Sequence, residues 1–538
     1  MKLTINDQTV SARAGESVLQ CALRHNINIP HLCTHPNLPA FGACRLCVVE
    51  IDGLRGFPAS CATPAIAGMV VRTETAALKE LRRGILELIL LEHPSACLIC
   101  EKQELCERFR PAAAKAGRTT GCHTCNNKQV CAVPDLCAEL DLTELPVPPL
   151  YRNFPLERSD PFIDRDLNLC ILCGRCVRIC KAHHGQSTID FVGRGSQTRI
   201  GEAFGRPLAE AGCRFCGSCI DVCPTGSLAD RYAKWFGAPQ RFVATTCSLC
   251  EAACAITVHS NGRKQAVMAR GISTRVPICV LGRFAVPEFL NGAGRLSAPQ
   301  VRVGDRWREL SWPRALAQAA ERLKPFAGAG FALVCDTSNT LEDRYVFRKF
   351  TYEVMRSPHY LEIAPDARGV ARRALPAGVR AALLAGDFVA PALLAQLELV
   401  LVLDCYPSAA SERAALILPA TVLAEVDGIF VDGEGLMRPL RRACDGPGEA
   451  QPDWRTVCEL ARALGATGFD YPSAKAIAAE AGAAGARLRL KRPAAPLAAS
   501  DPAERRTHFR GHCLADKVSG LRELAAAEPA PLAAVAGG

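Results

Sequence analysis

The sequence predicts a multidomain α+β chain, and three observations predict it. At 538 residues with 49% apolar side chains, there is room for three to five domains, each with its own core. Short strand-like runs ("KLTIN", "CVVEI", "MVVRT", "FALVCD", "LELVLVLD") alternate with segments of helical periodicity such as "LKELRRGILELILLE". The cysteines fall into separate spaced groups, parted by the proline-rich linker "LPVPPLYRNFPLERSDP". The net charge of +10 is modest for this length, and no long block of like charge occurs, which argues against a nucleic-acid partner. The start, "MKLTINDQTVSA", alternates like a strand and lacks the basic and apolar regions of an export signal. The longest apolar run, "GILELILLE", is too short and too interrupted to span a bilayer. The expectation is a cytoplasmic protein without direct membrane insertion.

Cysteine carries the chemistry. Of 29 cysteines, 24 precede residue 280. A disulfide scaffold would be short and exported, so these thiols are expected to be reduced and metal-bound, with zinc as the alternative to iron. Spacing separates the two metals. Cys33, Cys44, Cys47 and Cys61 form a first ligand, ten residues, a Cys-x-x-Cys, thirteen residues and a last ligand. Strand-like segments surround them, and Gly42 and Ala43 allow close backbone approach. Four thiolates on a tight loop and a returning segment suit a 2Fe–2S cluster. The pattern resembles the ferredoxin-like domain that opens the large iron–sulfur subunit of respiratory complex I and of NAD-linked hydrogenases. That resemblance implies a β-grasp 2Fe–2S domain over residues 1–78.

A second group, His93, Cys97, Cys100 and Cys106, follows a helical segment in "HPSACLICEKQELC". The same families carry one His and three Cys at this spacing for a 4Fe–4S cluster, here assigned to residues 79–118. Neutral imidazole in place of thiolate should raise the potential, as His ligation does in Rieske centres. Cys122, Cys125, Cys131 and Cys137 then repeat Cys-x-x-Cys-x5-Cys without an upstream His, over residues 119–150. An extra 4Fe–4S cluster is expected there, with Cys137 preferred to His123 as fourth ligand and a zinc knuckle as the alternative. Residues 151–238 hold "CILCGRCVRIC" and "CRFCGSCIDVCP", both Cys-x2-Cys-x2-Cys-x3-Cys. In this bacterial ferredoxin run the fourth Cys serves the other cluster. One 4Fe–4S cluster is therefore assigned to Cys170, Cys173, Cys176 and Cys223, the other to Cys213, Cys216, Cys219 and Cys180.

Cys247, Cys250, Cys254 and Cys279, in residues 239–295, resemble the 4Fe–4S domain that precedes the active site of molybdopterin oxidoreductases. "TSNTLEDRYVFRKFT" and "ILPATVLAEVDGIFVDGEG" extend that resemblance over residues 296–470 as an α/β domain. The catalytic equipment of the superfamily is not evident. The 259 residues after Cys279 are fewer than its catalytic members use. Cys335 and Cys405 read as strand-end cysteines rather than metal ligands, and Ile429, Asp432 and Leu436 replace the usual Thr, Asn and Arg of the late loop. A truncated, degenerate domain without molybdopterin is expected, with no catalytic residue. No Gly-x-Gly-x-x-Gly follows a strand and no P-loop occurs, so FMN and NAD(P) are expected on a partner. Cys21, Cys444, Cys458 and Cys513 lack partners at ligand spacing and read as packing residues or idle thiols. Residues 471–538 read as an Ala/Pro-rich tail.

The expected function is an electron-transfer subunit with one 2Fe–2S and four or five 4Fe–4S clusters, in a soluble NAD(P)-linked complex. The resemblance implies a flavin- and NAD(P)-binding iron–sulfur partner, a thioredoxin-like 2Fe–2S partner, and a catalytic terminal subunit such as a hydrogenase, formate dehydrogenase or other reductase. Two other readings stand beside it: a catalytic molybdenum or tungsten formate dehydrogenase, and a complex I subunit.

Overall fold

The computed structural model describes residues 1–94, 125, 131–150, 152–184, 188–236, 239–250, 252–272, 278–363, 374–387, 389, 391–483 and 517–526. The chain divides into two compact units. The first comprises Met1–Ala238, Ser273–Pro277 and Pro531–Gly538, and the second Pro239–Ile272 and Ile278–Ala530.

The first unit opens with strands β1 (Lys2–Ile5) and β2 (Gln8–Ser11), helix α1 (Val18–Arg24), and strands β3 (Glu50–Ile51) and β4 (Val70–Arg72). They form a mixed sheet in the order β2-β1-β4-β3, with β1 and β4 parallel and the outer pairs antiparallel. Alternation in "KLTI" sends Leu3 and Ile5 inward, where they join Val18, Leu19, Val49 and Val71. Helix α1 starts at a capping box in which Ser17 and Gln20 satisfy each other's backbone N–H groups. Cys21 lies in this core as a packing residue.

Helix α2 (Ala76–Leu91) is capped by Thr75, whose side chain accepts from Leu78 N. Leu78, Arg82, Leu86 and Leu90 recur every fourth residue and form its buried face. Leu86 and Leu90 pack with Leu32, Leu46 and with Val133 and Leu136 of α3 (Ala132–Glu139). Burial of each such leucine contributes roughly 1.5–3 kcal/mol. Arg82 reaches across to donate 2.7 Å to the Val48 carbonyl oxygen, which ties α2 to the first sheet's loop. Beyond these lie β5 (Ile163–Arg165), α4 (Arg175–His184), the hairpin β6 (Asp190–Val192) and β7 (Arg199–Gly201), α5 (Ser218–Val222) and β8 (Leu228–Asp230). Strands β5 and β8 pair antiparallel.

The second unit begins with three antiparallel strands, β9 (Arg241–Thr246), β10 (Ala255–Asn261) and β11 (Gln265–Gly271), followed by α6 (Val286–Leu290). Its main body comprises β12 (Gln300–Val303), β13 (Arg306–Glu309), α7 (Trp312–Leu323), β14 (Phe331–Asp336), α8 (Leu341–Lys349), β15 (Tyr360–Ile363), β16 (Ala381–Ala385), α9 (Pro391–Leu394), β17 (Leu399–Asp404) and β18 (Leu416–Pro419). The seven-stranded sheet runs β13-β12-β18-β17-β16-β14-β15, with parallel pairing from β18 to β15. The chain steps from β14 to β15 on one side and then to β16 on the other, so the winding reverses at β14. Strands β14, β16 and β18 are buried throughout, as expected of a parallel sheet covered on both faces. Alternate residues feed two cores. Leu333, Leu383 and Leu401 pack with Val346, Phe347 and Val457 on one face, and Val334, Leu384 and Val402 with Leu394 on the other.

The remaining elements are the hairpin β19 (Gly428–Val431) and β20 (Met437–Leu440), α10 (Asp453–Ala463), α11 (Ala474–Ala483) and α12 (Ser519–Ala526). Helix α11 lies inside the segment expected to be a tail. It is fixed by Glu480, which accepts from Lys349 Nζ and Tyr471 Oη at 2.8 Å and from Tyr345 Oη at 3.0 Å.

Candidate iron–sulfur centres

Cys33, Cys44, Cys47 and Cys61 converge where the loop after α1 meets the segment after β3. The thiols of Cys33 and Cys44, of Cys33 and Cys61, and of Cys47 and Cys61 are in mutual hydrogen-bond contact. Those contacts lower the pKa of Cys33, through Cys44 first, and that of Cys47 to about 6, through Cys61. Leu32 N and Cys33 N each donate to Cys44 Sγ at 3.4 Å. Gly42 at φ +67° and Arg45 at φ +58° turn the loop so that its amides face sulfur. Thiols held this close, with amides aimed at them, suit thiolate ligation of a 2Fe–2S cluster.

His93 stands just past the end of α2 and is 7% exposed. One ring nitrogen bonds the backbone carbonyl of Leu169, while Nδ1 is buried with no hydrogen-bond partner among the described residues. Burial lowers its pKa to about 4, so the imidazole is neutral at physiological pH. A neutral ring, oriented through one nitrogen and open at the other, fits metal ligation. Its expected companions Cys97, Cys100 and Cys106 lie outside the described residues.

In the third group, Cys122 and His123 lie outside the described residues. Cys125 is buried, and Cys131 at the N-cap of α3 interacts electrostatically with Cys125 and Cys223. Cys137 and Cys131 both pack against one aliphatic cluster of the first unit. Cys137 lies in it with Leu32, Leu86 and Leu90, where burial raises its pKa to about 11. Six residues along a helix rotate a side chain by about 240° net, so Cys131 and Cys137 leave α3 in different directions.

The two ferredoxin runs fold as repeats of one another. Leu172 N donates to Cys170 Sγ at 3.4 Å and Phe215 N to Cys213 Sγ at 3.3 Å. Leu172 and Phe215 both have positive φ, as do Gly174 and Gly217 two residues on. Cys170, Cys173, Cys176 and Cys223 line one apolar cavity with Ile171, Ile200, Pro224 and Leu228. Cys180, Cys213, Cys216 and Cys219 line another with Ile163, Ile179 and Leu208. Each cavity therefore takes its fourth cysteine from the other run. A Cβ at Gly174 would come within 3.0 Å of Phe191 and 3.1 Å of Phe41, and its φ of +67° adds backbone strain to any side chain there. Burial raises the thiol of Cys170 to about 12 and of Cys173 to about 11. Thiolates at such positions require a cation, which iron supplies.

In the second unit, Cys247 N donates to the Cys254 carbonyl oxygen at 2.8 Å, and the buried Cys247 thiol interacts with Cys250, Cys279 and Cys254. Burial pushes that thiol well above its ordinary value. A Cβ added at Gly282 would make ordinary van der Waals contact, 3.6 Å, with Cys247 Sγ.

A feature the sequence reading missed lies at the carboxyl ends of the parallel strands. Asp336 ends β14, Asp404 ends β17, and Asp343 and Asp453 occupy the first turns of α8 and α10. Asp336 Oδ1 accepts from Ser338 N at 2.7 Å, and Asp343 Oδ1 accepts from Trp454 N at 2.8 Å. Asn339 donates to Asp453 Oδ2 at 3.0 Å, while Asp453 Oδ1 is buried without a partner among the described residues. Asp453 interacts with Asp343, Asp404 and Asp336, and burial first, then these neighbours, push its pKa well up. Each acid is legible singly, closing "FALVCD" and "LVLVLD" or opening "DWRTVCEL", but their convergence is a product of topology. Cys335 is a fully buried residue of β14, in contact with the Tyr360 hydroxyl at 3.5 Å.

Comparison with known proteins matches four parts of the chain to family models. Residues 1–76 match a 2Fe-2S iron-sulfur cluster binding domain, and residues 82–107 an NADH-ubiquinone oxidoreductase-G iron-sulfur binding region. Residues 160–229 match the ferredoxin-like domain of NADH-quinone oxidoreductase subunit 3, and residues 365–463 match molybdopterin oxidoreductase. The class is thus a multidomain α/β iron–sulfur protein with 2Fe–2S, ferredoxin-like and molybdopterin-oxidoreductase domains. Its homologues include a G-type subunit of the NADH-quinone oxidoreductase of Rhizobium meliloti, 31% identical over 66% of this chain and 39% of that protein. NADPH-Fe(3+) oxidoreductase subunit alpha of Geobacter sulfurreducens is 30% identical over 65% of this chain and 38% of its own length. An NADP-reducing hydrogenase subunit of Solidesulfovibrio fructosivorans is 32% identical over 44% of this chain and 37% of its own. The chain spans about two fifths of the length of these relatives. Among the described residues, no helix is long and apolar enough to cross a membrane.

Proposed function

We propose that the chain is the iron–sulfur electron-transfer subunit of a multisubunit NAD(P)-linked oxidoreductase. It would hold one 2Fe–2S cluster and four or five 4Fe–4S clusters, without molybdopterin. The observation that carries this reading is the gathering of thiols, at 2Fe–2S and ferredoxin spacings, into separate buried sets whose amides point at sulfur. When bound, the clusters supply reversible one-electron transfer. The chain's own residues decide where that happens and at what potential. The N–H groups of Leu32, Cys33, Leu172 and Phe215 favour added negative charge on sulfur, the apolar cavity walls exclude water, and neutral His93 removes one ligand charge.

The acids of the second unit support a non-catalytic role. Doubly wound sheets take ligands outside the carboxyl ends of their strands, near the point where the winding reverses. A pyrophosphate-bearing cofactor approaching there would meet Asp336, Asp404, Asp343 and Asp453. The late loop is committed to itself: Asp432 Oδ1 accepts from Glu434 N and Leu436 N at 3.0 and 2.8 Å, and Oδ2 from Arg438 Nε at 2.9 Å.

The relatives' names support partner subunits in general; the family resemblance suggests an FMN- and NAD(P)-binding iron–sulfur subunit, a thioredoxin-like 2Fe–2S subunit and a terminal catalytic subunit. The test is purification of the native complex through a tag on this chain. NAD(P)H should reduce its EPR signals in the complex and fail to do so in the isolated subunit. Direct reduction of the isolated chain by NAD(P)H, or recovery without any flavoprotein, would sink the proposal.

A further inference from the structure

Arg175 opens α4 between Cys173 and Cys176, but its guanidinium serves a wider region of the first unit. Nη2 donates to the carbonyl oxygen of Thr34 at 2.5 Å, and Nη1 to that of Val222 at 3.5 Å. Thr34 follows Cys33 and Val222 precedes Cys223, so the cation stands between the first cysteine set and the Cys170–Cys223 set. Its electrostatic neighbours are Cys173, Cys33, Cys223 and Cys44. Among the described residues no carboxylate lies within ion-pair distance of it, although acids pair with Arg152, Arg158, Arg165 and Arg231 of the same unit. Among the described residues its Nε–H is buried with no hydrogen-bond partner, as are those of Arg152 and Arg165, so the missing carboxylate is what sets Arg175 apart.

A buried guanidinium held by carbonyl oxygens, with no carboxylate beside it, calls for an anion nearby. A guanidinium keeps its charge in any protein environment, and a desolvated charge is tolerated when an opposite charge compensates it. Carbonyl oxygens supply dipoles but no net charge. Four-thiolate iron–sulfur centres are anionic in both oxidation states and gain one further negative charge on reduction. Arg178, three residues on, differs. It donates to the carbonyl oxygens of Cys33, Pro39 and Gly174 and lies 5.0 Å from the Phe41 ring centroid, which clamps the cysteine loop to α4.

Resting on the proposed electron-transfer role, we infer that Arg175 is a positioning cation shared by two centres. Its fixed charge stabilises the reduced state of both the Cys33–Cys61 centre and the Cys170–Cys223 centre, and so raises both potentials. In the exchange it supports, one electron leaves one centre and enters the other. No bond forms, no proton moves, and Arg175 stays charged throughout.

The experiment is an EPR-monitored redox titration of the iron-loaded full chain with Arg175→Met, Arg175→Gln, Arg175→Lys and Arg178→Met. Neutral Met or Gln should shift the reduction equilibrium of both centres about tenfold toward the oxidised state, ~59 mV for a one-electron couple. Lys should shift it much less, and the Cys247 centre should not move. Arg178→Met, which leaves the shared cation in place, should move neither centre as far as Arg175→Met. Full iron with both potentials unmoved in Met and Gln overturns the inference, as does an equal shift in Lys. Loss of iron from Met and Gln but not Lys upholds it, because charge is then the requirement. Loss from all three overturns it in favour of a purely structural anchor. A wild-type chain that takes up no iron overturns the electron-transfer reading itself, a result distinct from all of these.

Discussion

His93 bonds the backbone carbonyl of Leu169 through one ring nitrogen and leaves the other buried and unpaired among the described residues. The bond joins the end of α2 to the residue preceding Cys170, so a single imidazole is oriented by one cysteine site while free to serve another. His93→Cys should therefore keep a cluster but lower its potential, by on the order of 100 mV, because an anionic ligand replaces a neutral one. Redox-titrated EPR reads this directly. If every potential stays where it was, His93 is a structural histidine.

The acids at the strand ends make a separate prediction about metal content. Molybdenum and tungsten should both be far below one per chain by elemental analysis, and the isolated chain should not oxidise formate with an artificial acceptor. A near-stoichiometric content of either metal would show that the carboxylates accommodate a pterin cofactor after all.

Two buried acids also tie stability to pH: Asp336 of this group and Glu342 in the first turn of α8. Burial raises Asp336 from 3.8 to about 6 and Glu342 from 4.5 to about 7. A raised carboxyl binds its proton more tightly in the folded state, so its stabilisation is present below the unfolded pKa and lost as pH rises through the folded one. Stability should accordingly fall between about pH 4 and pH 7 through these two groups. Asp336→Asn keeps an oxygen for the amides of Ser338 and Asn339 and removes the titration. Relative to wild type it should gain up to about 3 kcal/mol between pH 4 and pH 7. Denaturant unfolding of the full chain at both pH values measures it, since Trp307, Trp312 and Trp454 report on the second unit. An identical pH slope in wild type and variant would refute the assignment.

What the sequence reveals and what it hides follow from the range of the interaction. Thiolate ligation demands short fixed spacings, so Cys170, Cys173 and Cys176 announce themselves. The runs "FALVCD" and "LELVLVLD" are equally local, and β14 and β17 stand where such signals put them. Arg175 carries no local signal, because its partner Thr34 lies 141 residues away. The four acids meet only because the sheet order brings β14 and β17 to one end. Cys137 is a case of the opposite kind, since its spacing suggests a ligand whereas its position depends on how α3 is rotated.

That rotation yields the last prediction. Cys131 and Cys125 interact with each other, whereas Cys137 packs among Leu32, Leu86 and Leu90. If the group holds a 4Fe–4S cluster, the chain should carry about 22 irons, from one 2Fe–2S and five 4Fe–4S clusters, and about 18 without it. Cys125→Ser or Cys131→Ser should then remove about four irons and leave the other EPR signals intact. Cys137→Ala should leave the iron count unchanged and cost only about 1 kcal/mol of stability, the loss of a small buried side chain. Four irons lost with Cys137→Ala would make that cysteine the fourth ligand, which requires α3 to turn or unwind when the cluster is loaded. Loss of one zinc with Cys125→Ser, iron being unchanged, would identify the group as a structural knuckle and remove one centre from the relay.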